Sequence, residues 1–75
     1  MTQVLMTRLT THVVASLDER CDRCGAAAKV QVELAAGGEL TFCGHHANRY
    51  ADRVVEIAGQ ATVESGFAWR GAALV

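Results

Sequence analysis

Three features of the 75-residue sequence predict a small α+β domain made of a knuckle, a β-hairpin and an α-helix. Thiols and imidazoles fall into two short clusters, "CDRCG" at 21–25 and "FCGHH" at 42–46. Between them the chain alternates apolar and polar residues with a period of two, and after them an apolar stripe recurs at helical spacing. A chain this short sits where a single apolar core barely offsets the entropy of ordering the backbone. The composition is 51% hydrophobic, yet Ala and Val supply much of it, and Phe42, Tyr50, Phe67 and Trp69 are its aromatic side chains. The core is therefore thin, and something besides apolar burial is expected to hold the fold.

In chain order, residues 1–16 form an N-terminal segment. Val4, Leu5, Leu9, Val13, Val14 and Leu17 are loosely spaced as on a helix, while the Thr-rich middle argues against a long one. The expectation is disorder at the extreme N-terminus and a short helix near 9–19. Residues 17–59 form the metal-binding domain proper. Cys21 and Cys24 in C-x-x-C make a tight knuckle whose sulfurs point to one center, and Gly25 relieves strain where the chain leaves it. From Ala28 to Leu34, Ala28, Val30, Val32 and Leu34 share one face and Lys29, Gln31 and Glu33 the other, the pattern of a half-buried strand. Gly37-Gly38 supplies a turn, after which Leu40 and Phe42 face the core and Glu39 and Thr41 point away.

In "HHANRYADRVVEIAG" the residues Ala47, Tyr50, Ala51, Val54, Ile57 and Ala58 fall on one helical stripe. Arg49 with Asp52 and Arg53 with Glu56 stand three apart on the other side, and Gly59 reads as the helix stop. Residues 60–75 form a C-terminal apolar extension, with a short strand at 61–64 and then Phe67, Trp69, Leu74 and Val75.

The two clusters make sense as one four-ligand zinc site. Cys43 and His46 repeat the three-residue step of Cys21 and Cys24, and the eighteen residues from 25 to 42 leave just enough chain for the hairpin. Three thiolates and one imidazole suit zinc in a tetrahedral, structural site, and this order of elements resembles a treble clef or zinc ribbon. One structural Zn²⁺ contributes an apparent ~10–16 kcal/mol in small finger peptides, which supplies what the core lacks. The plainer alternative, three buried cysteines acting as small hydrophobes, does not account for both spacings. For the fourth ligand His46 matches the two-residue gap, whereas His45 needs a tighter C-x-H loop and otherwise reads as a capping or surface imidazole. His12, in "TTHVV", reads as an ordinary histidine.

With "CDRCGA…FCGHHANRY" in view, the chain resembles a family of small actinobacterial and actinophage proteins of unknown function that share CDRCGA, an alternating strand, a GGEL-type turn and CGHH before a short helix. The resemblance covers roughly residues 17 to 58. It implies Cys21, Cys24, Cys43 and His46 as zinc ligands and brings no activity with it.

Function is bounded mainly by exclusion. There is no H-E-x-x-H, no H-x-E of the deaminase type and no glycine-rich phosphate loop, so an enzyme is not expected. A net charge of −1 is not the footprint of a nucleic-acid-binding domain, although Arg23 and Lys29 with Arg49 and Arg53 are a candidate patch for an accessory role in transcription or translation. A protein–protein interaction adaptor fits best, with "GFAWRGAALV" docking either on a partner, on a second copy in a homodimer, or on the domain itself. A thiol switch through Cys21 and Cys24 is a further alternative. No apolar run approaches the ~20 residues that cross a bilayer, and no leader pattern opens the chain, so the expected location is the cytoplasm.

Overall fold

The structure, a computed structural model, describes residues 9–74. Among these residues four strands and two short helices follow one another in the order β1 (Thr10–Val14), β2 (Val30–Leu34), β3 (Glu39–Phe42), α1 (Gly44–Arg49), α2 (Ala51–Ile57) and β4 (Ala58–Glu64), followed by a 3₁₀ turn at Arg70–Leu74. The strands form one sheet in the order β1-β4-β2-β3, so the strand made last in the sequence is central.

The predicted hairpin forms: β2 and β3 are antiparallel, with Val30 opposite Phe42 and Val32 opposite Leu40. Gly37 and Gly38 close it with φ of 110° and 92°, a region that costs a side chain dearly and glycine nothing. Val30 and Val32 are fully buried, and Ala61 and Val63 of β4 stand beside them in an antiparallel pairing that bulges at Glu33/Leu34. The core gathers these with Leu9, Phe42, Ala47, Val54, Ala58 and Trp69.

Two expectations for the flanks are corrected. The helix expected near 9–19 is absent: Thr10–Val14 is a strand that pairs in parallel with β4, Thr10 opposite Gln60 and Val14 opposite Glu64. Four of its five residues are β-branched, which stiffens χ1 and favors a pleated backbone, and β4 offers a free edge that a local reading cannot see. The N-terminal disorder expected before it lies outside the described residues. The helix after the second cluster is also shorter than its stripe. It breaks lightly at Tyr50 (φ −102°, ψ 16°) and ends at Ile57, and Ala58, placed on the helical stripe by spacing, turns to φ −89°, ψ 145° and opens β4. Gly59 is therefore a strand residue rather than a stop, and the strand expected at 61–64 is longer, crossing the boundary drawn between residues 59 and 60.

The C-terminal aromatics fold onto this chain. Trp69 is buried, donates its indole N–H to the carbonyl of Ala47 at 2.9 Å, and lies against helix α1. Phe67 approaches Gly44, where a Cβ would come within 2.9 Å of its ring, so glycine at the first position of α1 makes room for the aromatic. Of the two surface ion pairs expected, Arg53 reaches Glu56 at 3.5 Å, whereas Asp52 pairs with Arg70 at 3.4 Å in place of Arg49. Among the described residues no helix is long and apolar enough to cross a membrane.

Candidate metal centre

The first half of the site is a miniature hairpin. Arg20 and Ala27 form an antiparallel bridge, the amide of Cys21 donates to the carbonyl of Ala26 at 2.7 Å, and that of Gly25 donates to the carbonyl of Cys21 at 2.9 Å. Gly25 sits at φ 79°, the left-handed turn the sequence asks of it. This knuckle is fastened to β3. The amide of Asp22 donates to the carbonyl of Thr41 at 2.9 Å, the amide of Thr41 donates to Asp22 Oδ2 at 2.8 Å, and the Thr41 hydroxyl donates to the carbonyl of Arg20 at 2.6 Å. Thr41 was expected to face solvent with Glu39; it is 6% exposed because the knuckle covers it. Alternation alone places it outward, and the signal that corrects it is the pull of the second cluster on the first.

The second half comes from the end of β3 and the start of α1. Cys43 caps the helix with extended backbone (φ −70°, ψ 173°) and makes no side-chain capping bond, which leaves its sulfur free for the site. His46 follows one turn later.

The four side chains meet. The ligand atoms of Cys21, Cys24, Cys43 and His46 all lie within 4.8 Å of one another. Cys24 Sγ is 3.8 Å from Cys43 Sγ, and His46 Nδ1 is 3.5 Å from Cys21 Sγ and 3.4 Å from Cys43 Sγ. A tetrahedral ion with ordinary metal–sulfur and metal–nitrogen bonds sets its donors about 3.8 Å apart for two sulfurs and about 3.5 Å apart for sulfur and nitrogen. These three edges match. His45, the alternative fourth ligand, is exposed and meets the site only through an edge contact with the His46 ring at 5.0 Å. His12 lies on β1, far from the cluster in the sheet, and shares a hydrogen bond of 3.0 Å with Gln60.

Electrostatics also suit a cation. Burial pushes the Cys21 thiol up, but hydrogen bonds to its sulfur from the backbone N–H groups of Cys43, Arg23 and Cys24 and from the Cys24 thiol together outweigh burial, bringing it down to about 6. The Arg23 amide is 3.4 Å from that sulfur. Cys24 moves the other way: the Ala26 amide lowers it, yet desolvation, the neighboring thiols of Cys21 and Cys43, and the charge on Cys21 together raise it. One thiolate thus resists a second until a positive charge joins them, which is the behavior of a metal-binding donor set. Cys21 and Cys43 are buried and Cys24 is exposed, so the site is sealed on one side and open to exchange on the other.

A four-stranded sheet, two short helices and a cluster of three cysteines and a histidine define a small α+β protein with a site compatible with metal binding. Residues 15–68 match the family described as "Domain of unknown function (DUF7455)", and the chain belongs to it. No curated protein and no solved structure matches the chain. The matched span holds both ligand pairs, the sheet's central strands and Phe67, and it stops one residue short of Trp69.

Proposed function

We propose that the ion is zinc, that it is structural, and that the protein is a non-enzymatic adaptor presenting a metal-stapled surface to a protein partner in the cytoplasm. The observation that carries the metal assignment is the spacing of the four donors, 3.4–3.8 Å along three edges. Three thiolates with one imidazole favor zinc over harder cations, and four protein donors fill a tetrahedron and reserve no position for water. Two donors come from a knuckle and two from the junction of a strand and a helix, which supports a treble-clef reading of the site.

The adaptor reading no longer rests on the C-terminal aromatics, since Trp69 is spent on this chain's own core. It rests on an apolar groove beside the knuckle, lined by Leu40, Phe42, Tyr50, Val54 and Ile57, which no residue among those described covers. The accessory nucleic-acid reading draws on one observation: the guanidinium groups of Arg23 and Arg49 stand 5.4 and 5.9 Å from the Tyr50 ring. Lys29 leaves that patch to pair with Glu64 at 2.7 Å, which weakens it.

Metal analysis of protein purified without added metal tests the first claim: one zinc per chain is expected, and metal-free protein with an intact cooperative melt overturns it. Cross-linking in native cells followed by capture, with Cys43→Ser as the unfolded control, tests the second. A specific protein partner is expected; recovery of nucleic acid alone, released by moderate salt, transfers the assignment to the accessory reading.

A further inference from the structure

The groove lies between β3, α2 and the knuckle and has a volume of about 270 Å³. Phe42 and Val54 are buried at 5% and 2% exposure, while Leu40, Tyr50 and Ile57 are half-buried around them. Small-molecule sites usually enclose about 300–1,000 Å³, so this groove accommodates a few side chains of a larger molecule better than a whole ligand.

Its charges are arranged asymmetrically. Arg23 and Arg53 are exposed on its lining, and Arg49 stands over the Tyr50 ring from the neighboring helix turn. The carboxylate on the lining, Asp22, already accepts the Thr41 amide at 2.8 Å. Arg53 meets Glu56 only at 3.5 Å with both side chains mostly exposed, a contact of little energetic weight, and among the described residues Arg23 and Arg49 enter no ion pair. An apolar trough edged by uncommitted guanidinium groups asks for apolar side chains accompanied by a carboxylate.

The knuckle also constrains how an occupant lies. The outer edge of β3 exchanges its Thr41 amide and carbonyl with Asp22, so an incoming strand cannot extend the sheet there. Recognition must then run through side chains, as when an amphipathic segment lays one face into a groove. The chain's own residues 1–8, "MTQVLMTR", contain no Asp or Glu and do not complement the rim.

We propose that this groove docks a short amphipathic segment of a partner protein that sets two bulky apolar side chains beside an aspartate or glutamate. The proposal rests on the adaptor reading and names the chemistry of its partner. Asp22 both lines the groove and fastens the knuckle to β3, so one residue joins the groove's wall to the candidate metal site.

The test is selection from a phage-displayed random peptide library on the full zinc-loaded chain, followed by titration of synthetic copies of the selected peptides. Peptides joining Asp or Glu to bulky apolar residues are expected. Arg53→Glu and Leu40→Lys, each checked for zinc content and an unchanged circular dichroism spectrum, should each weaken binding about tenfold or more. Replacing the peptide carboxylate by lysine should restore affinity for Arg53→Glu, which a merely unfolded variant cannot do. Failure to select peptides, selection without the acidic–apolar pattern, or binding indifferent to both substitutions overturns the proposal. So does a groove taken up by a second copy, seen as a dimer in sedimentation that Leu40→Lys dissociates, or by an RNA oligonucleotide that Arg53→Glu releases while peptides do not bind. A cellular partner cross-linked through some other surface removes the groove and leaves the adaptor reading standing; absence of both peptide and cellular partner removes both.

Discussion

Asp22 and Thr41 hold each other by two hydrogen bonds, amide to carbonyl at 2.9 Å in one direction and amide to carboxylate at 2.8 Å in the other. The carboxylate sits between the two knuckle cysteines in sequence, and Thr41 is two residues before Cys43. This pair therefore ties together the two halves of the candidate metal site without itself belonging to the Cys3His cluster. Partners of this kind commonly change metal affinity about 10–100-fold when removed. Asp22→Ala is expected to retain stoichiometric metal but to release it to a competing chelator at a correspondingly lower concentration, while Asp18→Ala, an exposed acid outside the knuckle, should match the parent. Chelator competition monitored by a zinc-sensitive dye reads the difference.

Removal of the ion itself is expected to remove the cooperative fold. Under the zinc assignment the binding energy, about 10–16 kcal/mol in small finger peptides, is as large as the whole stability of an ordinary small domain. Excess chelator should abolish the melting transition seen by circular dichroism, and readdition of zinc should restore it. Cys43→Ser should behave like the chelated protein, because it takes a ligand from a buried position that also begins α1. A cooperative melt that survives chelation would show that the apolar core suffices.

How much of this was legible in the chain differs by element. Spacing alone brought Cys21, Cys24, Cys43 and His46 to one place, because the two three-residue steps and the hairpin between them admit little else. The β2–β3 hairpin and its glycine turn were equally local. The other half of the sheet was legible only in part: the strand expected at 61–64 lies within β4, but its start at Ala58 and the strand β1 were not, because β1 and β4 pair in parallel across more than forty intervening residues and Thr10–Val14 fits a helix or a strand until that partner is known. Thr41 escaped for the same reason: its burial comes from the knuckle, a neighbor in space and not in the alternating pattern.

Trp69 anchors the C-terminal segment to α1 through both area and a hydrogen bond, and the two contributions separate by substitution. Trp69→Phe keeps most of the apolar contact and loses the 2.9 Å bond to Ala47, which leaves a buried carbonyl short of one partner and costs about 1 kcal/mol. Trp69→Ala also removes the ring, and losses of about 3–5 kcal/mol are usual for a buried large aromatic. Denaturant titration should rank parent, Phe and Ala in that order. In the parent, emission of this single tryptophan should lie at the short wavelengths of a buried indole and move to the red on unfolding.

Gly71 follows the same anchor. A Cβ built there runs into the six-membered part of the Trp69 indole, so Gly71→Ala must displace the ring or the turn. Overpacking of this kind costs about 1–3 kcal/mol, whereas Ala72→Gly, at an exposed neighbor, should cost less. Loss of the short-wavelength tryptophan emission in Gly71→Ala, with metal content unchanged, would place the disturbance at the C-terminal turn and not at the site.

The last expectation concerns pH and the ion pair of Lys29 with Glu64, whose nitrogen and oxygen are 2.7 Å apart. The hydrogen bond from Lys29, helped by the Leu17 amide at 3.2 Å, holds the Glu64 carboxyl below its ordinary pKa in the folded chain. A carboxyl whose pKa is lower folded than unfolded binds fewer protons when folded, so its stabilization is complete above the ordinary carboxylate range and is lost as the pH falls through the depressed folded value. Glu64→Gln should therefore be less stable than the parent near neutrality and lose that deficit progressively on acidification. Because binding of a metal by thiolate and imidazole donors in general also weakens in acid, the quantity to follow is the gap between the two denaturation midpoints at each pH. A gap that stays constant down to pH values at which Glu64 is protonated in the parent would mean that the pair contributes nothing through its charge.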